Sequence, residues 1–196
     1  CTSAGDIDPK YNYSQLGETW STPRIVRIPS EKKGERNNYK KDTYVAVMGA
    51  GMGSTNLCAG SAVFLVNLED MEDPGSIYGW ESNGGPITIV DTDPSGILTN
   101  EGLMQTPNGS DIGNSLPSSA VVITPDTAFN IPWRGAMVYF NDLEGKITKI
   151  NLTSSTDNSA ELFDQTTLFR LNADTENRRY SYFSMDAGIG VSTREF

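Results

Sequence analysis

The stretch Trp20-Ser21-Thr22-Pro23-Arg24-Ile25-Val26-Arg27-Ile28-Pro29 returns without gaps as Leu116-Pro117-Ser118-Ser119-Ala120-Val121-Val122-Ile123-Thr124-Pro125, an offset of 96 residues (116 − 20). Each copy carries a short apolar run that stops at proline, a residue with no N–H to give to a strand ladder. After each copy comes a second apolar run, a glycine-containing connection and a third run closing on Asn-Leu, at Asn67-Leu68 and Asn151-Leu152. Recurrence of strand, strand, turn and strand is what radially repeated four-stranded blades produce. The expected fold is therefore all-β, made of antiparallel β-propeller blades, with residues 1–196 forming part of a single propeller domain.

Working outward, the other segments agree with short strands. Arg24–Ile28 alternates polar and apolar residues, and Thr43–Met48 resumes after a charged loop, Glu31–Asp42. Ala62–Leu68 reads as a strand buried on both faces, and Ile87–Val90 as another. Beyond a long polar stretch, Asp91–Asn114, strands are expected at Ala120–Ile123, Ala136–Phe140, Lys146–Leu152, Thr167–Leu171 and Tyr180–Met185. No segment shows helical periodicity. Gly49-Ala50-Gly51-Met52-Gly53 shares glycines with a dinucleotide-binding fingerprint but lacks its spacing and the helix that must follow, so it reads as a glycine turn between strands. Trp20, Trp80 and Trp133 are expected to lock blades together rather than to serve as ligand platforms.

Composition narrows the function. Fifteen basic against 25 acidic residues give a formal net charge of −10, which repels nucleic acid and anionic membrane alike. No apolar run approaches the length of a membrane span. The chain contains no histidine, which removes Ser-His-Asp and Cys-His catalysis and the His-ligated metals. Its two cysteines, Cys1 and Cys58, cannot complete a thiolate zinc site but allow one intrachain disulfide, which would suit an extracytoplasmic compartment. The start at Cys1 and the stop at Phe196 after an aromatic-rich segment give the expectation of a piece of a longer chain.

Several of these stretches, in this order, resemble the PilC/PilY family of pilus-tip adhesins. Gly17-Glu18-Thr19-Trp20-Ser21-Thr22-Pro23 with Val47-Met48-Gly49-Ala50-Gly51-Met52-Gly53 looks like the opening blade of that family's propeller. Gly60–Leu68 resembles its next strand, Asn114–Val121 the following blade, and Asp186–Thr193 a segment leading to a further strand. Tyr139-Phe140-Asn141-Asp142-Leu143-Glu144-Gly145-Lys146-Ile147-Thr148-Lys149-Ile150-Asn151-Leu152 is similar to the family's Tyr-Val-Gly-Asp-Leu-x-Gly-Asn-Leu-Trp-Arg-Phe-Asp-Leu. The resemblance runs from about Gly17 to Phe196. It implies a bacterial protein exported to the cell surface, at or near the tip of a type IV pilus. There it would prime assembly with minor pilins and promote attachment to a surface or host ligand.

The same resemblance implies calcium in a loop matching Asp126–Arg134. Asp126 and Asn130 remain as oxygen donors, but Arg134 sits where a carboxylate is expected and argues against the ion. Asp91-Thr92-Asp93-Pro94-Ser95-Gly96 mimics the first half of an EF-hand loop, with oxygens on Asp91, Asp93 and Ser95. Its twelfth position is Gly102 rather than Glu, so an Asx-rich turn is the plainer reading. Calcium is thus the one cofactor the sequence leaves open. The expected function is non-enzymatic binding through exposed loops. A quinoprotein-like propeller enzyme and an outer-membrane assembly scaffold are the alternatives, because propellers host many functions.

Overall fold

The computed structural model describes residues 7–30, 35, 38–53, 59–69, 71–79, 84–89, 114–124, 134–154, 162–169 and 180–187. Strands β1 (Arg24–Ile28), β2 (Thr43–Gly49), β3 (Ala62–Asn67) and β4 (Ile87–Thr88) form one antiparallel sheet in sequence order. Strands β5 (Val121–Ile123), β6 (Gly135–Asn141), β7 (Ile147–Thr153) and β8 (Gln165–Phe169) form a second sheet of the same order. The protein is all-β, as its alternation requires, and the described residues form two packed sheets with no closed ring.

The two sheets are one structural unit used twice. Asn67 and Asn151 each donate their N–H to the return segment, to Ser76 and Asp164, and each accepts through its side-chain oxygen from residue i+2. Ser21 and Ser118 each bind the end of the second strand, at Gly49 and Asn141. Glu18 and Ser115 each accept from the segment after that strand, from Met52 and Leu143. Val66 opposite Ile77 corresponds to Ile150 opposite Gln165. These pairs put Ser21 on Ser118, one residue later than the gapless alignment of the two sequence copies. The repeat is real, but the alignment by prolines slips its first strand by one position, and one position exchanges the faces of a strand.

With the register corrected, the two sheets meet by unlike faces. The front of sheet 1 carries Val26, Val45, Val47, Val63 and Leu65, all buried. These pack in one core against Ala136, Val138, Phe140, Ile150 and Leu152 of sheet 2. Those five stand where sheet 1 has its back: Phe140 takes the place of Met48, Val138 of Ala46, and Ile150 of Val66. Each fully buried aliphatic or aromatic side chain here contributes about 1.5–3 kcal/mol. The back of sheet 1 has a smaller core of its own, where Phe64 joins Ala50, Ala62 and Ile77. Tyr13 stacks on Phe64 with ring centroids 5.4 Å apart. Apolar residues on both sides explain why β3 is a continuous apolar run rather than an alternating one.

Three expectations are corrected. Residues Gly49–Gly53 continue past β2 rather than turning: Ala50 N–H carries the ladder on to the Ala62 carbonyl, Met52 bridges Glu18, and Gly51 bridges Leu116, in the lead-in to the second sheet. Glycine is needed because backbone comes so close that side chains would not fit. Trp20 does not lock the sheets together but stands 66% exposed. Tyr180–Met185 is not a strand. Ser181 donates to the Leu143 carbonyl and its hydroxyl accepts from Asn141, which ties the segment to the β6–β7 turn instead of along an edge.

Candidate functional site

The residues that the sequence offers as ligands lie outside the described residues: Asp91, Asp93, Ser95, Asp126 and Asn130 for calcium, and Cys1 and Cys58 for a disulfide. Trp80 and Trp133 lie outside them too. Among the described residues no group of three or more Asp, Glu, His or Cys side chains could hold a metal ion. No helix among them is long and apolar enough to cross a membrane. The ion pairs Lys146–Asp142, Arg134–Asp42 with Arg27, and Lys10–Asp73 form three clusters, and each has a structural task that can be read from its geometry.

The first is buried in the second sheet, between β6 and β7. Asp142 and Lys146 close the β6–β7 hairpin, with Lys146 Nζ 3.3 Å from Asp142 Oδ2 and both side chains 1% exposed. Asp142 Oδ1 also accepts the Lys146 backbone N–H at 2.8 Å, and the Asn114 amide donates to Oδ2 at 3.3 Å. Gly145, at φ 76°, supplies the left-handed residue that the tight turn needs. Burial pushes the Asp142 carboxyl above the ordinary carboxylate range, while the Lys146 charge, the Lys146 N–H and the Asn114 amide pull it back. No substrate reaches a group this enclosed, so the cluster fixes the hairpin and the lead-in at Asn114 together.

The second cluster fastens the sheets to each other. Arg134, just before β6, makes a two-pronged contact with Asp42, just before β2, at 3.0 Å from Nε and 3.0 Å from Nη2. The Asp42 side chain is 2% exposed, and Arg27 Nε of β1 lies 3.6 Å from it. Hydrogen bonding to Asp42 holds the Arg134 guanidinium above its usual range. The positive charge that spoiled the calcium pattern in sequence therefore has a partner across the seam. Further bonds cross the same seam: Gly51 N–H to the Leu116 carbonyl, Leu116 N–H to the Gly60 carbonyl, Thr22 N–H to Ser119 Oγ, and the Gln165 amide to the Thr88 carbonyl. Arg134→Met is expected to lower stability by about 2 kcal/mol, the worth of hydrogen bonds to a charged group. Arg134→Lys should recover only part of that, because an ammonium cannot match the fork. Equilibrium denaturation of the three proteins measures it.

The third cluster is exposed and ties the N-terminal segment to the return loop of sheet 1. Lys10 Nζ lies 2.9 Å from Asp73 Oδ2 and the Tyr11 hydroxyl donates to Oδ1 at 3.0 Å. These two donors, Lys10 first, hold the Asp73 carboxyl below its ordinary range. The Ile77 N–H donates to the Lys10 carbonyl, and the Tyr13 hydroxyl to the Gly75 carbonyl. Sequence reading missed all three clusters, since their members are far apart in the chain or, for Asp142 and Lys146, look like ordinary turn residues.

No family model, curated protein or solved structure matches this chain.

Proposed function

We propose that the chain is a non-enzymatic binding and assembly module, part of a β-propeller in a pilus-associated adhesin of the PilC/PilY kind. It would act outside the cytoplasm, at the bacterial cell surface or pilus tip, with minor pilins or other pilus proteins and a surface or host ligand as partners. The observation that carries this reading is the front-to-back stacking of two equivalent sheets. Blades arranged around an axis must each present a front to the next blade's back, whereas a two-sheet sandwich related by a twofold axis would join like faces. A second support is local. The Tyr139–Leu152 stretch, the longest of the family-like segments, folds as a hairpin whose turn is held by Asp142 and Gly145, two of the three turn positions, with Leu143, that it shares with the family pattern.

In this reading the sheets are scaffold, and recognition belongs to the loops joining them, as is usual for binding sites on rigid β frames. Calcium remains the cofactor proposed for Asp91, Asp93 and Ser95 or for Asp126 and Asn130.

The test is binding of the purified chain to the minor pilins of the bacterium that encodes it, measured with calcium and with chelator. Saturable binding is expected, weakened by chelator and by Asp91→Ala/Asp93→Ala or Asp126→Ala if one of those loops holds the ion. Absence of binding to any minor pilin in both conditions would overturn the pilus reading.

A further inference from the structure

The stacking rule leaves one front and one back unused. On sheet 2, the front carries Val121, Ile123, Met137, Tyr139 and Ile147, all half-exposed. Their equivalents in sheet 1 include Val26, Val45, Val47 and Val63, which sheet 2 covers to 4% exposure or less. On sheet 1, the back carries Ile25, Ala46, Tyr44 and Leu68, with Ile25 69% and Leu68 50% exposed. These are neighbours on the sheet: Ile25 lies opposite Ala46, and the Leu68 N–H donates to the Tyr44 carbonyl. Their equivalents, Val122, Val138, Ala136 and Leu152, belong to or pack against the core between the sheets. An open position on one sheet is thus a core position on the other.

We infer that this chain associates with a second copy of itself head to tail, the front of sheet 2 in one copy packing on the back of sheet 1 in the next. The occupant follows from continuity with the interface already inside the molecule. A front of this kind is seen covered by a back of this kind, and one copy offers the missing half of each. Apolar side chains dominate both surfaces; the charges beside them are Lys149 on the front and, on the back, Arg27, which lies 3.6 Å from Asp42, and Glu69, whose carboxylate accepts the Tyr44 N–H. The acidic residues behind the net charge of −10 are therefore not concentrated at the contact, and screening that charge with salt should favour association. Tyr13, stacked over Phe64, occupies the β3 side of the back and leaves the β1–β2 side, with Ile25, Tyr44 and Ala46, for the incoming β5. A head-to-tail contact is not self-limiting: it extends to chains of copies, or to rings if the rotation closes. The inference rests on the blade-like stacking of the proposed reading and concerns residues 1–196 alone, since further blades of one propeller would take the same two faces.

The experiment is light scattering on the purified chain over a range of concentrations and salt, with two variants. Ile25→Glu blocks the back and leaves the front; Ile123→Glu blocks the front and leaves the back. The parent is expected to rise from one copy to two and beyond as concentration increases. Each variant alone should stay at one copy with an unchanged far-ultraviolet spectrum. The two variants mixed should form a species of two copies and go no further, because each supplies the face the other lacks. Tyr139→Glu, a second front-blocking change on a different strand, must behave as Ile123→Glu does. A parent that stays monomeric at every concentration overturns the inference. So does a single variant that still associates, or a mixture that does not, since either result means like faces or another surface make the contact.

Discussion

Lys146→Met is expected to lower the free energy of unfolding by about 3–5 kcal/mol at neutral pH, the loss typical of removing one partner from a buried ion pair. The reason is the state in which the variant leaves Asp142. That carboxylate is 1% exposed and would keep only the Lys146 backbone N–H and the Asn114 amide as partners. Asp142→Asn/Lys146→Met should recover most of the loss, because a buried charge is then no longer left alone. Asparagine can still accept the backbone N–H that closes the hairpin. The deficit of the single variant should also depend on pH in a defined direction. Burial already raises the Asp142 carboxyl above the ordinary range, and removal of the Lys146 charge removes the largest influence that lowers it. The folded variant therefore binds a proton more readily than the unfolded chain. Its stability relative to the parent should improve as pH falls through the raised value towards the ordinary carboxylate range, and worsen as pH rises. Urea titrations of the three proteins at neutral and mildly acid pH measure this. An equal deficit at both would mean that Lys146 acts through packing of its alkyl chain.

The same pair marks where the sequence stops being legible. Strands announce themselves when one side faces a core, so Arg24–Ile28 and Thr43–Gly49 agree with their apolar alternation, and Ala62–Asn67 with its unbroken apolar run. Asn67 and Asn151 were visible as a repeated ending, because each closes its strand by the same bonds to the return segment. Face identity is not legible, since it depends on a single position of register. Lys146 could not be read as buried, because a lysine after a glycine turn is ordinarily solvated. Arg134 announced only an absence, a missing carboxylate, while its partner Asp42 lies in the other sheet. Trp20 is expected to lock blades together, but the seam is filled by side chains smaller than tryptophan, among them Phe140, and Trp20 stands outside. The oxygens expected to bind calcium, on Asp91, Asp93, Ser95, Asp126 and Asn130, fall outside the described residues.

Gly51→Ala should destabilise the protein by about 3 kcal/mol, although it adds one methyl group. Gly51 has φ 92°, a conformation that side-chain-bearing residues rarely adopt and that costs them about 1–3 kcal/mol. The added Cβ would also stand 2.2 Å from the Glu18 carbonyl oxygen and 2.5 Å from Thr19 Cα. Both are backbone atoms, and the Glu18 carbonyl is itself held by the Met52 N–H at 2.8 Å, so neither can swing aside as a flexible side chain would. Relief requires the segment carrying Gly51 to move, and Gly51 gives its N–H to the carbonyl of Leu116, in the lead-in to the second sheet. The consequence should therefore concentrate at the seam. Amide exchange is expected to quicken at Gly51, Met52 and Leu116 more than at Val47 or Val138, whose hydrogen bonds lie within a sheet. Gly75→Ala is the matched control: its φ is 74°, but nothing lies within 4 Å of the position a Cβ would take. It should carry the conformational cost alone and leave exchange at the seam unchanged. Equal losses in the two variants would assign the effect to backbone conformation. A larger loss at Gly51, with faster exchange at Leu116, would show that room for the close-lying Glu18–Thr19 backbone is what the glycine provides.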